Sequence, residues 1–131
     1  MKRILILIVE DENFLVKALK DNFESAGYVV DVALDGEDAI GKVQTDHPDL
    51  VLLDLLLPKR DGFFVLETLK KNPQLKSIPV IVLSNFGGDD SIKRAIAAGA
   101  DDYLVKSQHS IDEVIGCAKK HLSGEEKKSV Q

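Results

Sequence analysis

The feature that most constrains this chain is a fivefold alternation, in which a short apolar run is followed each time by an amphipathic segment. Residues 3–9 form a nearly continuous apolar run, the pattern of a parallel strand buried on both faces. In residues 14–26, Leu15, Ala18, Leu19, Phe23 and Ala26 share one helical face, and Gly27 follows as a stop. Residues 28–33 are rich in β-branched side chains, and Asp35-Gly36 opens a helix running to about Thr45. Residues 50–54 read as the third strand, and Gly62–Lys71 as the third helix, closed ahead of Pro73. Residues 78–83 are the fourth strand, with Pro79 near its start, where proline is tolerated. Residues 90–98 form the fourth helix, stopped by Gly99, and Asp102–Val105 is the fifth strand. Ser110-Ile-Asp-Glu113 is a capping box, and the last helix carries an apolar stripe of Ile111, Val114, Ile115, Ala118 and Leu122.

Such alternation predicts an α/β fold, a five-stranded parallel sheet with helices on both faces. Five units fit an open doubly wound (βα)5 sheet of strand order 2-1-3-4-5, whereas a closed barrel needs eight. No apolar run approaches the ~20 residues that cross a bilayer. The apolar part of the first run, residues 4–9, has Lys2 and Arg3 before it, like a signal peptide, but no small-residue cleavage site follows. Cytoplasmic residence is therefore the expectation, with no membrane partner. The formal charge of −5 argues against direct nucleic-acid binding, which calls for a basic face. Cys117 is the one cysteine, so no intrachain disulfide can form, and it reads as a buried small thiol. His47, His109 and His121 stand apart from one another and from other ligands in any metal-like spacing, and read as surface histidines.

In open α/β sheets, ligands bind at the carboxyl ends of the strands. Here those ends carry Glu10 and Asp11 after the first strand, Asp54 after the third, Ser84 after the fourth and Lys106 after the fifth. Taken singly, an aspartate there is an ordinary helix cap, Ser84 a turn serine and Lys106 a solvated lysine. Together they place three carboxylates on neighbouring strands, where like charges repel. A hard divalent cation with oxygen ligands, such as Mg²⁺, relieves that repulsion, and Lys106 and Ser84 suit a phosphoryl group. Asp54 also lies within an apolar stretch, Val-Leu-Leu-Asp-Leu-Leu-Leu-Pro58, where an ionised group is costly without partners.

At these residues the chain resembles the receiver domains of two-component response regulators, of the chemotaxis-receiver type. The matching stretches are Ile-Leu-Ile-Val-Glu10-Asp11-Glu12, Leu-Leu-Asp54-Leu-Leu-Leu-Pro58, Asp61-Gly62, Ile-Val-Leu-Ser84 and Ala98-Gly-Ala-Asp-Asp-Tyr103-Leu-Val-Lys106. The resemblance implies a receiver domain over residues 1–123, followed by a charged tail over 124–131 that is expected to be flexible. It implies that Asp54 accepts a phosphoryl group from the phosphohistidine of a histidine kinase or phosphotransfer protein. It further implies that Mg²⁺ (or Mn²⁺) is held by Asp11, Asp54, the backbone carbonyl of Leu56 and, through water, Glu10. Ser84 and Lys106 then bond the phosphoryl group, and Tyr103 turns inward when Ser84 moves. The resemblance makes the chain not an enzyme in the turnover sense, since it catalyses only its own phosphorylation and dephosphorylation. Signalling is expected through the face of helix 4, strand 5 and helix 5, to a protein partner or a second copy. No output domain is read after the last helix, so output is expected to pass through another chain.

Glu10 replaces the aspartate common at its position, Ser107 stands where proline usually follows the lysine, and Asn85 and Phe86 replace small residues after Ser84. A Lys106–Ser107 bond without proline is expected to be trans, with a shifted loop after it, because cis costs ~2.5–4 kcal/mol there. In receivers the residues two beyond the acceptor and two beyond the hydroxyl border the path of the hydrolytic water. Here they are Leu56 and Phe86, and neither has a polar group to orient water. Two other functions share the fold class. A flavodoxin-like flavin module needs a phosphate loop after the first strand, but Glu10-Asp11-Glu12-Asn13 would repel a phosphate. A metal-dependent phosphatase needs a general acid or base beside its nucleophile, and none is evident.

Overall fold

The computed structural model describes residues 3–57, 59 and 61–130, with side chains as far as Leu122. The five strands are β1 (Leu5–Val9), β2 (Val29–Ala33), β3 (Leu50–Leu53), β4 (Val80–Ser84) and β5 (Asp102–Val105). They alternate with helices α1 (Asn13–Ser25), α2 (Gly36–Asp46), α3 (Gly62–Lys71), α4 (Asp89–Ala97) and α5 (Ile111–Val130). All strand pairs are parallel and the sheet order is β2-β1-β3-β4-β5, as the alternation implied. Pro58 of the acceptor motif lies outside the described residues, as does the flexibility expected of the side chains in 124–131.

Successive strand residues point to opposite faces, so each strand feeds two cores. Leu7, Val9, Val51, Leu53, Val80 and Val82 face one core, closed by Ala39, Val43, Val65, Leu66, Leu69 and Ala95 of α2, α3 and α4. Ile6, Ile8, Leu50, Leu52, Ile81 and Leu83 face the other, closed by Leu19 and Phe23 of α1 and by Val114, Ile115, Ala118 and Leu122 of α5. Right-handed crossovers put α1 and α5 on one side, because the chain steps from β1 to β2 in one direction and onward from β3 in the other. The reversal leaves the carboxyl ends of β1 and β3 side by side, and the polar residues follow those ends.

Local chemistry sets the boundaries. Asp35 and Asp61 cap α2 and α3 by accepting the N–H groups of Asp38 (2.8 Å) and Phe64 (3.0 Å). Ser110 and Glu113 form the expected reciprocal box ahead of α5, at 3.2 and 2.8 Å. β4 starts later than the sequence pattern suggests. Ile78 N–H closes a turn onto Leu75 O, and at Val80, the first residue of the ladder, the N–H bonds the Asp101 carboxylate. The Lys106–Ser107 bond is trans, no cis peptide occurring among the described residues, and a 3-10 turn over Lys106–Gln108 leads into α5.

α3 enters so close to the β3 loop that Gly62 is needed for steric reasons. Its N–H bonds Leu55 O at 2.9 Å, and a Cβ would overlap the carbonyl oxygen of Asp54 and the Cα of Leu55. Gly41, within α2, has open space around the same position. Denaturant unfolding should separate the two. Gly62→Ala is expected to lose about 2–3 kcal/mol through overpacking against backbone. Gly41→Ala is expected to gain about 0.5–1 kcal/mol through helix propensity. Equal responses would contradict this account of the helix entry.

Candidate functional site

Asp54 follows the last residue of β3, and its N–H bonds Val9 O at 3.0 Å, which ties the loop after β3 to the end of β1. The same end of β1 delivers Glu10, whose N–H bonds Ala33 O of β2 at 3.1 Å. Glu10 and Asp54 are the buried carboxylates of the described residues, 3% and 6% exposed, and Asp11 beside them is exposed. One oxygen from each of Glu10, Asp11 and Asp54 lies within 4.8 Å of the others. These oxygens open into a cavity of ≈ 420 Å³ lined also by Glu12, Leu56, Leu57, Asn85 and Lys106.

Lys106, at the end of β5, reaches across the strand ends into this cluster. Its ammonium donates to Glu10 Oε1 at 2.7 Å and to Asp54 Oδ2 at 3.3 Å, and lies 3.6 Å from Glu12 Oε2. Burial disfavours the charged ammonium, but the hydrogen bond to Glu10 and the charges of Asp54 and Glu10 outweigh it, so its pKa is raised. The Glu10 carboxyl is also pushed up, first by burial and then by the Asp54 charge, against the opposing bond from Lys106. The other oxygens are held by backbone. Glu12 N–H donates to Glu10 Oε2 at 3.0 Å, and Leu56 N–H donates to Asp54 Oδ1 at 3.1 Å. The cluster remains acidic on balance, with the carboxylates of Glu10, Asp11, Glu12 and Asp54 around one ammonium.

Ser84 ends β4 beside this pocket and is buried. Its Oγ accepts the N–H of Phe86 at 3.1 Å, and the carbonyl of the same Phe86 accepts the Tyr103 hydroxyl at 2.6 Å. The backbone of Phe86, through its N–H and its carbonyl, therefore links Ser84 to Tyr103. Burial raises the Tyr103 phenol, with the Asp54 charge adding to it against a hydrogen bond with Ser84.

Six of the seven residues expected at the site stand at or just past the carboxyl ends of their strands, and Tyr103, the second residue of β5, reaches Phe86 there with its hydroxyl. Glu10, Asp11, Asp54, Leu56 and Lys106 line the one cavity, while Ser84 and Tyr103 meet behind it through Phe86. The family model described as the response regulator receiver domain matches residues 6–115. The chain belongs to that family. Over 118 residues it is 41% identical to a gliding motility regulatory protein of Myxococcus xanthus, covering 85% of this chain. It spans 14% of that relative's length. The receiver domain of the Francisella response regulator 1452 superposes with a TM-score of 0.84 at 30% identity, covering 92% of this chain and 98% of that one. The Mn²⁺-bound form of response regulator Rcp1 superposes with a TM-score of 0.76 at 31% identity, covering 92% and 89%. Among the described residues of this receiver domain, no helix is long and apolar enough to cross a membrane.

Three features add to or change the reading of the sequence, in which Asn85 stands as the alternative to Phe86 for holding the water. Glu12 joins the Lys106 network, for which its place in an acidic run was the only sign. Asn85, and not Phe86, is among the residues lining the acidic cavity, because the Phe86 backbone is engaged by Ser84 and Tyr103. The third is a correction. His121, expected as an isolated surface histidine, is partly buried and pairs through Nε2 with Asp102 Oδ2 at 3.1 Å. Cys117, one helical turn earlier, bonds the same oxygen at 3.2 Å. The strand residue that joins them is far away in the chain, so spacing alone hid the group.

Proposed function

We propose that this receiver accepts a phosphoryl group on Asp54 from a phosphohistidine of a histidine kinase or phosphotransfer protein. The observation that carries the reading is the place of Asp54, a buried carboxylate between an acidic pair and the Lys106 ammonium at 3.3 Å. In the step, an Asp54 oxygen forms a bond to phosphorus as the phosphorus–nitrogen bond of the donor breaks, and the departing imidazole takes a proton. The oxygen-only donor set of Glu10, Asp11 and Asp54 fits a hard cation of the Mg²⁺ or Mn²⁺ type, with Glu10 acting through water and the Leu56 carbonyl completing the protein ligands. When bound, such an ion neutralises the carboxylates and draws charge from phosphoryl oxygens. Lys106 orients the acceptor and meets a phosphoryl oxygen. The added charge attracts Ser84, whose Oγ leaves the Phe86 N–H, and the Tyr103 hydroxyl bond to the carbonyl of the same residue is disturbed. α4, β5 and α5 are thereby biased to a second arrangement, and their face meets a downstream protein or a second copy.

The deciding experiment is incubation with acetyl phosphate, read by intact mass. One phosphoryl group is expected with Mg²⁺ and none with EDTA. Modification that ignores the chelator would overturn the reading.

The phosphorylated form is expected to be long-lived. Leu56 is 67% exposed at the cavity and offers no side-chain group to orient water. Leu56→Asn is expected to shorten the lifetime roughly 10-fold, which is ~1.4 kcal/mol in the barrier. Phe86→Glu should have the smaller effect, since Phe86 does not line the cavity. Loss of phosphate is followed by mass after the donor is removed. If Leu56→Asn leaves the rate unchanged and Asn85→Ala slows it, the Asn85 amide holds the water instead.

A further inference from the structure

We propose that Asp102, Cys117 and His121 form a second cation site, selective for a borderline transition metal of the Zn²⁺ type, between the start of β5 and the outer turns of α5. The three donor atoms lie within 4.8 Å of one another. Cys117 Sγ is 3.2 Å and His121 Nε2 3.1 Å from the same oxygen, Asp102 Oδ2. Tetrahedral Zn²⁺, with bonds of about 2.0–2.3 Å, holds its ligand atoms roughly 3.3–3.7 Å apart, so Cys117 Sγ and His121 Nε2 each need to part from Asp102 Oδ2 by only a few tenths of an ångström. Cys117 and His121 are spaced i, i+4 on α5, which puts both on one face toward β5. The other carboxylate oxygen, Asp102 Oδ1, accepts the Tyr103 N–H at 2.9 Å, which orients Oδ2 toward the helix.

The chemistry separates this group from the acidic cluster. One sulfur, one nitrogen and one oxygen suit Zn²⁺ and its neighbours, whereas Mg²⁺ takes oxygen throughout. β5 carries Asp102 at its first residue and delivers Lys106 just past its last, roughly 13 Å further along the sheet at ~3.3 Å per residue. The arrangement does not suit nucleophilic catalysis. Both Cys117 and His121 bond Asp102 rather than each other, so the imidazole is not placed to take the thiol proton. Burial, with Asp102 adding to it, pushes the thiol up to about 12. Metal binding replaces both hydrogens that face Asp102 Oδ2: the thiol proton leaves to solvent as the sulfur–metal bond forms, and His121 frees Nε2 by taking the tautomer with its proton on Nδ1. The His121 and Asp102 side chains are 25% and 42% exposed, which leaves an entry path and room for a water as fourth ligand.

The test uses the full chain under reducing conditions with saturating Mg²⁺, and Co²⁺ as the probe. One equivalent is expected to give a sulfur-to-cobalt charge-transfer band and tetrahedral visible bands, all removed by Zn²⁺. Cys117→Ser should abolish the charge-transfer band. His121→Gln, which keeps the thiol, should weaken binding by at least about 10-fold, since even outer-shell partners contribute that much. Asp54→Asn should bind Co²⁺ as the parent does. In a second measurement, Zn²⁺ should raise the thermal midpoint of the parent and of Asp54→Asn, but not of Cys117→Ser. The proposal is overturned if the parent shows no such band, if Cys117→Ser keeps it, if His121→Gln binds unchanged, or if Asp54→Asn abolishes binding.

Discussion

Asp54→Asn is expected to take up no phosphoryl group from acetyl phosphate in the presence of Mg²⁺, while remaining folded. The amide is a far weaker nucleophile than the carboxylate and cannot form the acyl phosphate. The loss should be complete because the other carboxylates are not alternatives. Glu10 is buried, and its oxygens are committed to the Lys106 ammonium at 2.7 Å and the Glu12 N–H at 3.0 Å. Asp11 is exposed, with no ion pair to Lys106 given by the geometry. Folding should survive, since the substitution keeps the shape and removes one of several like charges. In Mg²⁺-free buffer the thermal midpoint is expected to equal or exceed that of the parent. Mg²⁺ affinity measured by calorimetry should fall at least about 10-fold with the loss of an anionic ligand. A variant that still gains the mass of a phosphoryl group would show that another residue accepts it.

Lys106→Ala is expected to slow phosphorylation by about 100-fold or more, the usual effect of removing a positioned group that stabilises transition-state charge. Its effect on metal binding should run the other way. The ammonium occupies oxygens of Glu10 and Asp54 that a cation would also use, at 2.7 and 3.3 Å. Without it, Mg²⁺ affinity is expected to rise. Stability in EDTA should fall, because Glu10 keeps its burial and loses its charged partner, and Mg²⁺ should restore part of the loss. Measured together, these responses distinguish an electrostatic role from a structural one. A lysine that only packed would lower stability with or without Mg²⁺ and leave metal affinity unchanged. Unchanged phosphorylation kinetics would remove Lys106 from the proposed chemistry.

Much of the molecule is legible in its sequence. The five apolar runs alternate with helical stripes, and parallel strands linked by right-handed crossovers leave few arrangements. Glu10, Asp11, Asp54, Ser84 and Lys106 could be placed on one face because each immediately follows or ends a strand. Boundaries were less accessible. The Asp101 carboxylate that receives the Val80 N–H, and so helps set the start of β4, belongs to the far end of a later connection.

The sequence by itself determined the strand order and the family. It also determined which side chains meet at the carboxyl ends, because period-two and period-3.6 patterns encode which face of each element is apolar. Tertiary structure alone decided the pairings between elements. It chose Glu10 as the nearer partner of Lys106, seated Asn85 rather than Phe86 at the cavity, and joined Cys117 and His121 to Asp102. Such contacts depend on distances between residues far apart in the chain, 52 positions for Lys106 and Asp54, and no local period records them.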